Sequence, residues 1–296
     1  MIKPIGMANT NFKADKQTID KKTGEYVDPM MKWPLRGAAF TNEVGEALRP
    51  IIGGAANLTW VPALMYIGAD VYDKYKNDQT EYSPNSKRCL KEAIFQGLAS
   101  VCLPVFAVKL GQNIFSQFGK FDKDGISLNA KEHVSNVAEQ FIANGKMRAF
   151  EGQDESCVKE FLSQVTNSKD YSDKTQKVKV FKGENQDKLN KYAENTIRDL
   201  IELRKNILNP TDAIKSQNWY AKYSKGLKSG QTPSVAVKSV LTDFQKSKMM
   251  KGNFIKTIGG FIALGLAINP IDHFVENVLI GKYVGPQIDN FKTKNK

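Results

Sequence analysis

Five carboxylates stand at the edges of uncharged stretches. Glu43 and Glu46 precede one, Asp70 and Asp73 follow it, and Asp272 follows another. A carboxylate placed inside a bilayer costs about 3 kcal/mol or more unless it is paired or wet, so such groups often mark function. Their positions at block edges rather than centres favour the plainer reading, hydrated groups or helix caps. Other chemistry is thin. His133 and His273 are far apart, which leaves no metal cluster or triad in sequence. Cys89, Cys102 and Cys157 are widely spaced, with no CxxC pair, so neither a disulfide framework nor a zinc site is expected. The run Asp122-Lys-Asp124-Gly125 has the glycine of a calcium loop. In that register Lys120 would be first and Lys131 twelfth, where acids are required, so an Asp-Gly turn is the better account. There is no phosphate-binding glycine loop. Acid, base, nucleophile and metal ligand do not converge, so no catalytic residue, cofactor or metal is expected and an enzyme is the least supported class.

The elements that must position these groups are helices. Residues 50–69 carry no charge, and twenty residues at the helical rise cover about 30 Å, the thickness of a bilayer core. Gly53, Gly54, Ala55 and Ala56 offer a close-packing face, whereas Asn57 and Pro62 weaken the span. A second apolar segment covers about 93–115, with Pro104 as a kink and Lys109 near enough to an interface to snorkel. A third covers 254–271 and continues as an amphipathic stretch. Ahead of the first, residues 35–48 form an amphipathic helix with Phe40, Val44, Ala47 and Leu48 on one face, Glu43 and Glu46 on another, and Arg49-Pro50 as its stop.

The chain has 296 residues, a net charge of +12 and 41% apolar residues. This balance favours anionic partners. The basic residues lie beside apolar blocks, so lipid headgroups are better partners than nucleic acid, the alternative being a solvated lysine-rich surface. Residues 1–32 read as a polar flexible tail with neither a signal peptide nor an ordinary transit peptide. Residues 33–118 form the first part of a membrane domain, 119–245 a soluble helical insertion, 246–285 a last membrane segment with an amphipathic helix, and 286–296 a basic tail. Within the insertion, helices are expected near 130–144, 155–167, 185–208 and 233–250, with a short strand at 174–183. The fold class is therefore all-α: a multi-pass helical membrane protein with about three hydrophobic helices, some Pro-kinked, and a soluble, mostly helical insertion.

Three segments resemble the mitochondrial fission process family, also described as the eighteen-kilodalton mitochondrial protein family. The first is Arg36-Gly-Ala-Ala-Phe-Thr-Asn42-Glu43-Val-Gly45-Glu46-Ala-Leu-Arg49, followed by Asp70-x-x-Asp73-Lys74. The second is Phe95-Gln96-Gly-Leu-Ala-Ser100-Val-Cys-Leu-Pro104. The third is Asn269-Pro270-Ile-Asp272, with Val275 after it. They occur in the family's order and cover roughly 35–118 and 250–285, with an insertion of over a hundred residues between the second and third. The resemblance implies a non-enzymatic integral protein of the mitochondrial inner membrane that supports fission and membrane organisation. In a bacterial host the corresponding site is the cytoplasmic membrane. It singles out Asn42, Glu43, Gly45, Glu46, Asp70, Asp73, Gln96, Pro104, Pro270 and Asp272, whose polar members are expected to meet inside the bundle. The expected partners are the bilayer with its anionic lipids and a protein engaging the insertion, with a homo-oligomer compatible and no nucleic acid. Two rival classes remain: a transporter or channel component, resting on Asn57, Gln96 and Lys109, and a soluble or peripheral helical binding protein.

Overall fold

The computed structural model describes residues 35–76, 86–167 and 184–290. The tail at 1–32, the strand expected at 174–183 and the last six residues lie outside the described residues. Every described element is helical: α1 (Leu35–Ala38), α2 (Thr41–Ile52), a 3-10 segment (Gly53–Thr59), α3 (Trp60–Lys76), α4 (Ser86–Phe95), a π segment (Gln96–Cys102), α5 (Leu103–Ser116) and a 3-10 turn (Gln117–Phe121). These are followed by α6 (Leu128–Ala143), α7 (Lys146–Ala149), α8 (Asp154–Asn167), α9 (Gln186–Leu208), α10 (Asp212–Lys215), α11 (Asn218–Lys228), α12 (Pro233–His273), a π segment (Phe274–Val284) and α13 (Gly285–Asn290). The described chain divides into two compact units. The first comprises residues up to Gln112 and from Lys256 onward; the second comprises Asn113–Ile255.

Three stretches, Thr41–Tyr75, Ser86–Phe121 and Pro233–Asn290, are long and apolar enough to cross a membrane. The first is not straight. Gly53 adopts φ 56° and ψ −130°, a conformation that carries little penalty only for glycine. The chain doubles back there, so that α2 packs against α3. This changes the expected helix–helix contact. Gly53, Gly54 and Ala55 are exposed and only Ala56 is buried, because Gly53 is committed to the reversal. Close approach occurs elsewhere. A Cβ on Gly45 would meet Thr59 Oγ1 at 1.8 Å, and one on Gly111 would meet the Gly259 carbonyl at 2.3 Å. Small residues at such crossings let backbones meet, as in membrane bundles.

The boundaries of other elements also differ from expectation. Pro50 does not stop α2; it lies inside that helix. The helix expected at 233–250 and the segment expected at 254–271 are one helix, α12, because no proline interrupts the chain between Pro233 and Pro270. The amphipathic face of α2 is only partly as expected. Ala47 is buried, but Phe40 and Val44 are exposed, and Glu43 and Glu46 on the other face are buried.

The second unit is an ordinary helical domain inside. Leu189, Ala193, Ile197 and Leu200 recur at helical spacing along α9 and are fully buried. Phe141 and Phe161 meet edge to face at 5.5 Å between α6 and α8. Ser127 caps α6 through the Ala130 N–H, and Asn185 caps α9 through the Lys188 N–H at 3.0 Å. The Asp122–Gly125 run forms a turn, with Gly125 at φ 64° and its N–H 2.9 Å from the Asp122 carbonyl. Lys131, at the twelfth position, holds both Asp122 and Asp124 at 2.9 Å. Burial works against its charge, but the two aspartates outweigh it and hold the ammonium above its ordinary value.

Candidate functional site

The first unit contains a lattice of buried polar groups, and two prolines explain half of it. A helical proline has no N–H for the carbonyl four residues earlier. Pro50 thereby strips the carbonyl of Glu46 of its α-helical donor, and Pro104 does the same to Ser100. Each gap is filled from the other helix. The Gln112 carboxamide on α5 donates to the Glu46 carbonyl at 2.9 Å, with Ala47 O at 3.3 Å. The Asn42 carboxamide on α2 donates to the Ser100 carbonyl at 2.8 Å. The exchange is reciprocal, so α2 and the Ser86–Ser116 stretch hold each other in register. Carbonyls released by proline in an apolar setting need such donors.

The second part of the lattice joins α3 to α4. Glu92, Gln96 and Ser100 recur every four residues and share one helix face. Gln96 Nε2 donates to Asp70 Oδ2 at 2.7 Å and to Glu92 Oε1 at 3.0 Å, while the Ser100 hydroxyl donates to Gln96 Oε1 at 2.7 Å. Lys74 Nζ lies 3.7 Å from Glu92, and both side chains are almost fully buried. Glu46 is held separately: Arg49 Nε donates to it at 2.8 Å and Trp60 Nε1 at 2.9 Å, and Arg49 also reaches Asn57 at 3.0 Å. A buried charge is tolerable only when paired and hydrogen-bonded, and these contacts supply that for Glu46, Glu92 and Asp70.

Of the residues singled out from sequence, Asn42, Glu43, Gly45, Glu46, Asp70, Asp73, Gln96 and Pro104 are all buried in this unit. Asn42, Asp70 and Gln96 join the network around Ser100 and Glu92. Pro270 and Asp272 are not drawn into it; both are exposed near the end of α12, although the Glu43 carboxylate feels the charge of Asp272. Glu43 Oε2 and Asn42 Oδ1 are buried without a hydrogen-bond partner. Hydration caps at a boundary would be exposed, so for Glu43, Glu46, Asp70 and Asp73 the plainer reading is corrected. Lys74, Glu92, Ser100 and Gln112 were not singled out. The four-residue rhythm of Glu92, Gln96 and Ser100 was visible; Gln112 carried no signal, because its partner is a carbonyl exposed by a distant proline.

The arrangement orients helices and buries charge. Among the described residues no group of three His, Cys, Asp or Glu side chains is placed to hold a metal ion. In the second unit burial pushes the Cys157 thiol up to about 11, with Asp154 adding to the effect, which leaves little thiolate near neutral pH. No family model, curated protein or solved structure matches the chain.

Proposed function

We propose that the protein is a multi-pass integral membrane protein with a non-enzymatic structural role in membrane organisation, of the kind implied by its resemblance to the mitochondrial fission process family. On that reading it resides in the mitochondrial inner membrane, or in the cytoplasmic membrane of a bacterial host. One observation carries the proposal: the polarity of the long helices is inverted. Leu58 and Leu266 are each 74% exposed and Phe106 66%, whereas Asp70, Asp73, Lys74 and Glu92 are at most 4% exposed. In water each large apolar side chain left outside forgoes roughly 2 kcal/mol of burial. In hydrocarbon the same surface is the solvated one, and internal pairing of polar groups is obligatory.

The test is alkaline carbonate washing of membranes from cells expressing the full chain. Retention in the pellet is expected. Release into the supernatant would move the protein to the soluble or peripheral helical class. A second reading, a transporter or channel component, is favoured by the buried Asp70–Gln96–Glu92–Lys74 array, since intramembrane ionisable groups line ion and proton paths. It predicts ion flux across liposomes carrying the purified protein, and flux no greater than in empty liposomes would remove it.

A further inference from the structure

One end of the second unit combines exposed apolar side chains with unpaired cations. Along the chain leaving α5, Ile114, Phe118 and Phe121 are exposed, Phe121 to 85%. Phe115 and Phe118 meet edge to face at 5.1 Å, and Phe118 and Phe121 lie 6.2 Å apart one 3-10 turn on. On α12, Lys246, Met250 and Phe254 recur every four residues and all are exposed, so they form one stripe. The two segments are neighbours. A Cβ on Gly119 would meet Leu128 Cδ2 at 3.0 Å, and one on Gly252 would meet the same methyl at 3.1 Å. The interior of this end is closed by Leu128, so the aromatic and aliphatic groups that remain outside have no covering within the unit.

The charges at this end divide into two sets. Lys131 occupies Asp122 and Asp124, Lys248 pairs with Asp199, and Lys120 lies 3.5 Å from Glu184. Lys123, Lys246 and Lys251 are exposed and make no salt bridge among the described residues, although Lys246 lies near enough to Glu139 to favour its charged form. The sequence around Lys246 and Lys251 is also depleted of acids, whereas Lys123 lies between Asp122 and Asp124, both held by Lys131. Between Ala213 and Ile271 the only acidic residue is Asp243, and Lys222 pairs with it.

We propose that this end, with Phe118, Phe121, Met250 and Phe254 inserted and Lys123, Lys246 and Lys251 above them, seats the headgroups of anionic phospholipids. The inference rests on the integral-membrane reading and specifies which lipid the protein holds. The geometry of α12 supports it. Residues 257–271 are uncharged, and at the helical rise they cover only about 22 Å, short of a hydrocarbon core of about 30 Å. Lys251 sits about 9 Å along the axis from Thr257, which is near the depth of a headgroup layer. A lysine at that level lays its methylenes along apolar surface and presents its ammonium to phosphate. The partner is therefore a surface with apolar depth and negative charge together, which a lipid provides and free phosphate does not.

The test reconstitutes the purified full chain in phosphatidylcholine liposomes containing trace spin-labelled phosphatidylglycerol or spin-labelled phosphatidylcholine, and compares the motionally restricted fraction of each label. A preference of several-fold for the phosphatidylglycerol label is expected, decreasing as salt rises because exposed charges are screened. The Lys123→Gln/Lys246→Gln/Lys251→Gln variant should lose most of that preference. The Lys225→Gln/Lys228→Gln variant, altered on the exposed α11, should retain it. Because all five lysines are exposed, neither variant disturbs the core. Restricted label without preference, or a preference unchanged in the triple variant, would overturn the proposal while leaving the integral reading standing. Protein that floats free of the liposomes takes both down. Displacement of the phosphatidylglycerol label by single-stranded RNA at equal phosphate concentration would overturn it in favour of a nucleic-acid surface.

Discussion

Asn42→Ala is expected to lower the thermal midpoint of the detergent-solubilised protein by several degrees, and a second change, Pro104→Ala, is expected to restore most of the loss. The Ser100 carbonyl takes its hydrogen bond from Asn42 at 2.8 Å. Removing the carboxamide leaves a partly buried acceptor unsatisfied, at a cost of about 1–3 kcal/mol. For a chain of this size each kcal/mol corresponds to roughly 2–4 °C. Alanine at 104 returns the missing N–H to the helix, so the carbonyl no longer needs a donor from α2. The mirror pair is Gln112→Ala with Pro50→Ala, since Gln112 serves the Glu46 carbonyl at 2.9 Å. Each proline change should rescue only its own partner. A Pro104→Ala rescue of Gln112→Ala as strong as that of Asn42→Ala would show that the prolines act through general helix stability and not through these two carbonyls.

Lys74→Met should be the most damaging single change in the first unit, costing about 3–5 kcal/mol, the usual effect of removing one partner from a buried ion pair. Lys74 is 1% exposed and faces Glu92 at 3.7 Å. Glu92 shares Gln96 with Asp70, so loss of the ammonium leaves two linked carboxylates with less positive charge beside them. Lys215→Met is the control. Its ammonium also lies near a carboxylate, Asp212 at 3.0 Å, but both side chains are exposed, and such a pair is worth at most about 1 kcal/mol. Adding Glu92→Gln to Lys74→Met should recover part of the loss by removing one of the stranded charges. The readouts are the amount of protein accumulating in membranes and the midpoint in detergent. Equal effects of the two lysine substitutions would mean that Lys74 is not electrostatically special.

The helices were legible because their signals are local. Uncharged runs and the apolar rhythm of α9 act within one or two turns, and their helices formed near the expected positions. Where expectation and structure part, a non-local term decided. Arg49-Pro50 looked like a stop because proline removes a hydrogen bond, but Gln112, sixty-two residues on, replaces the donor and the helix continues. The Gly53–Ala56 run looked like a packing face, yet Gly53 takes a positive φ and turns the chain back, which hands the close contact to Gly45 and Thr59.

The candidate site divides in the same way. By itself the sequence determined a mostly helical chain with three long apolar stretches, a polar helical region between the second and third, and a set of carboxylates and carboxamides at their edges, because hydropathy and spacing are properties of the chain alone. Only the tertiary structure decided that Glu43, Glu46, Asp70 and Asp73 face inward while Val44, Leu58 and Phe106 face outward, and that Pro270 and Asp272 stay outside the network. The reason is that burial of a charge depends on whether a partner arrives from another helix. Lys74 with Glu92, Gln96 with Asp70 and Asn42 with the carbonyl opposite Pro104 are pairings across sequence distance, and no local pattern encodes them.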